Sequence, residues 1–296
     1  MQSGGVKMDL LEVNDISKTY KGFQLKNISF HLPAGYIMGY VGQNGAGKTT
    51  TLNMITGLIH PENGSITIDG KSIKEDPIIY KNAIGYISDS SFFPGDFNIQ
   101  DVRRTLGDFY PSFDLEKFDD YIRRWELPEK KCIKDFSKGM KVKLMFADIL
   151  SRDTKILILD EATNGLDPVI KDEVLNMMQE YIADGNRSIL FSTHILSDLE
   201  QIADYIYFIH KGEKIMYEAK DEMIDSFLLL KAGPDELKDS QLKKIIGIKK
   251  STVKIEGLIQ TNDAVLFNRG VVLEKPTVDQ IVIHFILQKN NGGKIL

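Results

Sequence analysis

The amino-acid sequence predicts an α/β domain on a mainly parallel sheet, carrying a helical insertion and ending in a small α+β appendix. Three observations predict it. Short apolar runs at Tyr36–Val41, Ile84–Ser88, Ile156–Asp160 and Ser188–Thr193 have the length and continuity of strands buried on both faces. Helix-period segments such as Val169–Ala183 and Ser197–Ala203 alternate with them, the order of a parallel sheet with crossover helices. Between Phe92 and Arg152 the character changes, with many aromatics and almost no β-branched runs.

Residues 1–8 read as a flexible leader or tag, because Met-Gln-Ser-Gly-Gly lacks the apolar core of a secretion signal. Leu10–Ile16, Leu25–Leu32 and Ser65–Asp69 alternate apolar and polar residues between Gly, Pro and Asn breaks, as half-buried strands do. Tyr36–Val41 runs straight into a glycine-rich loop, and Lys48–Ile59 follows as a helix. Residues of about 90–152 form the insertion, with most of Phe92, Phe93, Phe97, Phe109, Tyr110, Phe113, Phe118, Tyr121 and Trp125 as its core. Met177-Met178 fits the core of a helix. The main domain is expected over 9–230. Lys231–Asp239 is a polar, Gly-Pro-containing joint, and Ser251–Glu256, Ala264–Phe267, Val271–Leu273 and Ile281–Leu287 make an accessory domain over 231–296.

Bulk properties narrow the function. The chain has 296 residues, 42% of them hydrophobic and 27% charged, an ordinary soluble composition. A net charge of -5 gives no basic footprint, so nucleic acid is not an expected partner. The single cysteine, Cys132, excludes an internal disulfide and cysteine-based zinc sites. No apolar run nears the roughly 18–20 residues needed to span a bilayer; Ser188–Ser192 and Ile281–Leu287 have strand length. His31, His60, His210 and His284 show no metal spacing, and Lys243-Lys244 and Lys249-Lys250 read as solvated faces.

The chemistry is concentrated at Gly42-Gln43-Asn44-Gly45-Ala46-Gly47-Lys48-Thr49, set between a strand and a helix. A nucleoside triphosphate is a compact polyanion. Backbone N–H groups and a helix N-terminus favour such charge, and glycines let the backbone approach it. Lys48 would reach the β- and γ-phosphates, and the Thr49 hydroxyl would ligate Mg²⁺. Such a loop needs a carboxylate. Ile156–Asp160 is an apolar strand ending in Asp160-Glu161, where Asp160 can face Mg²⁺ and Glu161 the attacking water.

With these motifs the chain resembles the ATP-binding-cassette (ABC) ATPases over roughly Leu10–Tyr217. Phe136-Ser137-Lys138-Gly139-Met140 is similar to the family signature, Gly165-Leu166-Asp167 to its D-loop, and His194 to its switch histidine. Tyr20 sits like the aromatic that stacks on adenine, and Thr50 completes the phosphate loop. The resemblance implies a RecA-like core with an antiparallel β subdomain and helical insertion. It further implies ATP and Mg²⁺ as cofactors, catalysis by Glu161, His194, Lys48 and Asp89, and a site closed by Ser137 and Gly139 of a second cassette. Lys138 and Met140 depart from the usual glycine and glutamine, Asp89 stands at the Q-loop glutamine, and Ala162 replaces a proline. Asp89 could still face Mg²⁺.

The resemblance also implies a separate membrane-spanning permease and a place on the cytoplasmic face of the membrane. Phe92 and Phe93 are its candidates for the groove that receives the permease. Phe109–Asp114 and the Lys-Gly-Met signature resemble bacterial exporters of antimicrobial or cytolytic peptides, those of phenol-soluble modulins among them. An importer ATPase and a soluble, non-transport cassette ATPase are the alternatives.

Overall fold

The computed structural model describes residues 9–90, 92–267 and 270–291; the expected leader lies outside them. The chain opens with β1 (Asp9–Tyr20), β2 (Phe23–Pro33) and β3 (Ile37–Val41), then enters α1 (Lys48–Ile55). Next come β4 (Asn63–Ile68), β5 (Lys71–Ser72), α2 (Pro77–Asn82) and β6 (Ile84–Ser88). The insertion carries α3 (Ile99–Phe109), α4 (Leu115–Arg124) and α5 (Lys138–Leu150). After it, β7 (Ile156–Asp160), α6 (Pro168–Ile182), β8 (Ser188–Thr193), α7 (Leu196–Ile202), β9 (Tyr205–His210) and β10 (Glu213–Ala219) complete the main domain. The C-terminal part holds α8 (Lys220–Asp225), β11 (Phe227–Ala232), α9 (Asp239–Leu242), β12 (Ile246–Lys250), β13 (Ile255–Gln260), β14 (Val272–Glu274) and α10 (Val278–Asn290).

Three sheets organise these elements. The central one runs β10-β9-β3-β8-β7-β6, parallel except for β10 at its edge. Every residue of β3 and β8 is buried, as expected for parallel strands covered on both faces. One face packs on α1, α2 and the antiparallel sheet β2-β1-β4-β5, through residues such as Leu11, Ile28, Leu52 and Tyr80. The other packs on α5, α6 and α7 and on the insertion, through Phe146, Met178, Leu199 and Phe118. The third sheet, β12-β13-β11-β14, is wholly antiparallel.

Two sequence expectations need correction. The helix after the glycine loop ends at Ile55 rather than Ile59, because Gly57 takes a left-handed backbone (φ 74) that stops it. Ile281–Leu287, of strand length in sequence, lies inside α10. Thr277 and Gln280 form a capping box at its start, and Val278, Ile281, Val282 and Phe285 are buried at the spacing of one helix face. That face joins the core of the main domain together with Phe227, Leu229, Ile246 and Leu258. The third sheet has begun at Phe227, four residues ahead of the expected joint at Lys231.

Candidate nucleotide site

The site forms where β3, β7 and β8 deliver their C-terminal ends. Gly47 caps α1 with φ 112, and a Cβ there would stand 2.6 Å from Leu25 Cδ1, so only glycine fits. The first turn of α1 holds no acidic residue, leaving its positive end free for an anion. Lys48 is buried, and its ammonium donates to the carbonyl of Gly42 at 2.7 Å. Burial pulls its pKa down, while Glu161 and then Asp160 oppose the shift. The Lys48 ammonium lies 3.8 Å from Glu161 Oε1.

Asp160 and Glu161 separate as the strand ends. Asp160 remains on β7, half-buried, and accepts a long hydrogen bond (3.4 Å) from the Tyr86 hydroxyl. Its Oδ1 is buried, and the Ser192 hydroxyl interacts with the carboxylate. Burial is the main cause that raises its pKa, with the charge of Glu161 adding to it. Glu161 takes a left-handed backbone (φ 55), an uncommon conformation for a side-chain-bearing residue. The bend lets its N–H bond to the Ser192 carbonyl (2.9 Å) while its carboxylate faces the cleft. Asn164 Nδ2 donates to Glu161 Oε2 at 2.8 Å, and His194 Nδ1 lies 3.6 Å from the same oxygen.

The resulting cleft, about 790 Å³, brings together Asn44, Gly45, Gly47, Lys48, Thr49, Thr50, Asp89, Asp160 and Glu161. Gly42 lies beneath it as the Lys48 acceptor, and Ala46 is buried with its carbonyl bonded to the Gly212 N–H. Tyr20 is not in the lining; it stands exposed at the end of β1. Phe23, across the turn from it, lines the cleft instead. Ser137 and Gly139 also lie outside the lining. Ser137 caps α5 by accepting from the Met140 N–H, and Gly139 packs so closely that a Cβ would meet Ile170 Cγ2 at 2.8 Å. Asp89 lies between the nucleotide cleft and a second groove of about 500 Å³ that includes Phe93, Lys134, Lys138 and Lys141. Phe92 is exposed beside that groove, its ring 4.6 Å from that of Phe93.

Known proteins share this pattern. Residues 25–164 match the family model described as "ABC transporter". The ABC transporter ATP-binding protein YtrB of Bacillus subtilis is 30% identical, with 76% of this chain and 77% of that protein covered. This chain belongs to the ABC transporter family. It is the ATP-binding, ATP-hydrolysing cassette subunit of a transporter. The lantibiotic transport ATP-binding protein SrtF of Streptococcus pyogenes is 32% identical over 72% of the cassette chain and 92% of its own length. The bacitracin transport ATP-binding protein BcrA of Enterococcus faecalis is 32% identical, covering 70% and 68%. Among solved structures, an ATP binding subunit of an ABC transporter superposes with a TM-score of 0.67 at 30% identity, over 72% of this chain and 91% of that one.

The cassette also uses residues that sequence reasoning passed over. Phe23 was visible only as one of two aromatics flanking a Lys-Gly turn. Tyr86 was visible only as a polar-tipped side chain on a buried strand. Asn164 stands between Glu161 and Gly165, and its polar amide in a short loop was the available signal. Among the described residues no helix of the cassette is long and apolar enough to cross a membrane.

Proposed function

We propose that this cassette powers a separate membrane permease that exports peptides or other amphipathic, antimicrobial compounds, working at the cytoplasmic face of the membrane. The observation that carries the reading is the division of its site. Lys48, Asp160 and Glu161 share one cleft, while the cap formed by Ser137 and Gly139 belongs to α5 and does not line it. An ATP on the cleft therefore leaves one side open to the Ser137 end of α5 on a second cassette. The names of the lantibiotic and bacitracin relatives support the cargo class.

The steps follow from the residues. Lys48 leaves the Gly42 carbonyl and turns to the β- and γ-phosphates, exchanging a neutral acceptor for charged ones. The N–H groups of the loop and the α1 N-terminus take the remaining phosphate oxygens. Mg²⁺ suits Asp160, whose buried Oδ1 ends the strand at the cleft, with Thr49 and Asp89 also lining that cleft. Among the described residues no cluster of three acidic, His or Cys groups stands ready for a metal, which fits a cation held mainly by phosphates and water. When bound, Mg²⁺ would neutralise charge on the transferring phosphoryl group. Glu161 accepts the proton of the attacking water; Asn164 holds that carboxylate through its amide, and His194 stands beside both, 3.4 Å from the Asn164 amide. Closing two cassettes on ATP drives the permease outward, and phosphate release reopens them.

The Glu161→Gln variant tests the chemistry. It should bind ATP and lose turnover by about 10²–10⁴-fold; retained turnover would remove Glu161 from the role of base. Co-purification of the tagged cassette from membranes tests the partnership: a six-span protein lacking a cassette is the expected companion. Isolation only in a soluble complex would overturn the transport reading.

A further inference from the structure

Asp198 lies on α7, four positions past His194, and is almost fully buried at 3% exposure. Its Oδ2 accepts a hydrogen bond from the Thr163 hydroxyl at 3.0 Å. Its Oδ1 pairs with the Lys171 ammonium at 2.6 Å. Thr163 is itself buried, two residues after Glu161 and next to Asn164. Lys171 sits in the first turns of α6, whose cap, Asp167, ends the loop that began at Glu161. One carboxylate thus grips the loop 161–167 near its start and just beyond its end. It fastens both to the helix that begins two residues after His194.

A buried carboxylate is costly unless both oxygens are satisfied, and a well-packed apolar group would stabilise such a position as well or better. The pairing therefore serves register rather than bulk stability. None of the three side chains lines the nucleotide cleft, and Asp198 and Thr163 are buried away from it. We propose that Asp198 is a positioning residue for hydrolysis: through Thr163 and Lys171 it holds the loop carrying Glu161 and Asn164 in register with His194. The inference rests on Glu161 being the base, as argued above.

The experiment uses the full-length chain, at protein concentrations where parental ATPase activity is saturated, with a fluorescent ATP analogue as the binding probe. Thr163→Val removes the hydroxyl with little change of shape; Thr163→Ser restores it. Asp198→Asn keeps one acceptor and discards the charge. The valine and asparagine variants should lose kcat about tenfold or more, a cost that misplacement of a catalytic group readily reaches. Their KM and analogue affinity should stay within about twofold of the parent, since neither residue meets the nucleotide. The serine variant should recover most of the rate, and the Thr163→Val/Asp198→Asn double variant should be little slower than either single one. Parental kcat in Thr163→Val or in a folded Asp198→Asn, or equal losses of affinity and kcat, would overturn the proposal. Should Asp198→Asn fail to fold, the Val–Ser pair at position 163 decides alone. Glu161→Gln run alongside separates the two readings: if it keeps turnover the base assignment fails, and if it loses turnover while Thr163→Val does not, only the role of Asp198 fails.

Discussion

Asn164 donates its side-chain amide to Glu161 Oε2 at 2.8 Å, while its own buried Oδ1 has no hydrogen-bond partner among the described residues. The pair is local, three residues apart, and joins two residues of the turn that follows β7. Removing the amide frees Glu161 to rotate toward the Lys48 ammonium, 3.8 Å from its other oxygen. Asn164→Ala should lower kcat about ten- to hundredfold while leaving nucleotide affinity near parental. Steady-state ATPase assays paired with nucleotide titration check this.

Lys48 offers the opposite signature. The residue is buried, its ammonium is turned onto Gly42, and it lines the cleft. Lys48→Met keeps the length of the side chain and removes a charged donor to phosphate, an interaction worth about 1.5–3 kcal/mol. ATP affinity should fall about ten- to hundredfold, read by titration with a fluorescent analogue. Unchanged affinity would mean that the ammonium stays on the Gly42 carbonyl when nucleotide binds.

Asp148 on α5 makes a pH prediction. It is buried at 1% exposure against Arg152, and burial raises its pKa from 3.8 to about 6, with Arg152 opposing. The folded chain therefore holds this proton to higher pH than the unfolded chain does. The stability that this provides is complete below about 3.8 and is lost as pH rises through about 6. Compared with Asp148→Asn, which does not titrate, the parent should lose on the order of 1–3 kcal/mol between pH 4 and pH 7. Denaturant unfolding of both proteins at several pH values measures the difference. A difference independent of pH would show that Asp148 titrates normally.

Phe285 is 2% exposed in α10, and its ring meets that of Phe227 edge-on at 5.4 Å. Truncating a buried phenylalanine costs about 3–5 kcal/mol through lost transfer energy and the cavity left behind. Because the C-terminal part shares the main core, Phe285→Ala should lower a single cooperative transition. Calorimetry showing two separate transitions, with only the minor one shifted, would contradict the shared core.

Much of the central sheet was legible because parallel strands buried on both faces leave uninterrupted apolar runs. Ile156–Asp160 and Ser188–Thr193 have the same bounds in sequence and structure. The phosphate loop was legible because its glycines and Lys48 are adjacent in the chain. The Asp198–Thr163 contact spans 35 positions and carries no local pattern, so only the fold reveals it. Phe23 and Tyr20 face each other across one turn, and which of them lines the cleft depends on how β1 and β2 pair. Ile281–Leu287 misled because a short apolar run has no period of its own; its helix is set by the capping box at Thr277 and by the surface that covers it.

That covering has a practical consequence for anyone shortening the gene. A product ending at Leu230, where a reader of the sequence would cut, divides β11 in its middle and discards its partners β13 and β14. The cut also strips α10 from α7 and removes the backbone N–H of Val278 that Glu200 accepts at 2.6 Å. The shortened protein would expose the ring of Phe227, which Phe285 covers, and half a strand with no neighbours, a combination that favours clumping over a soluble catalytic fragment.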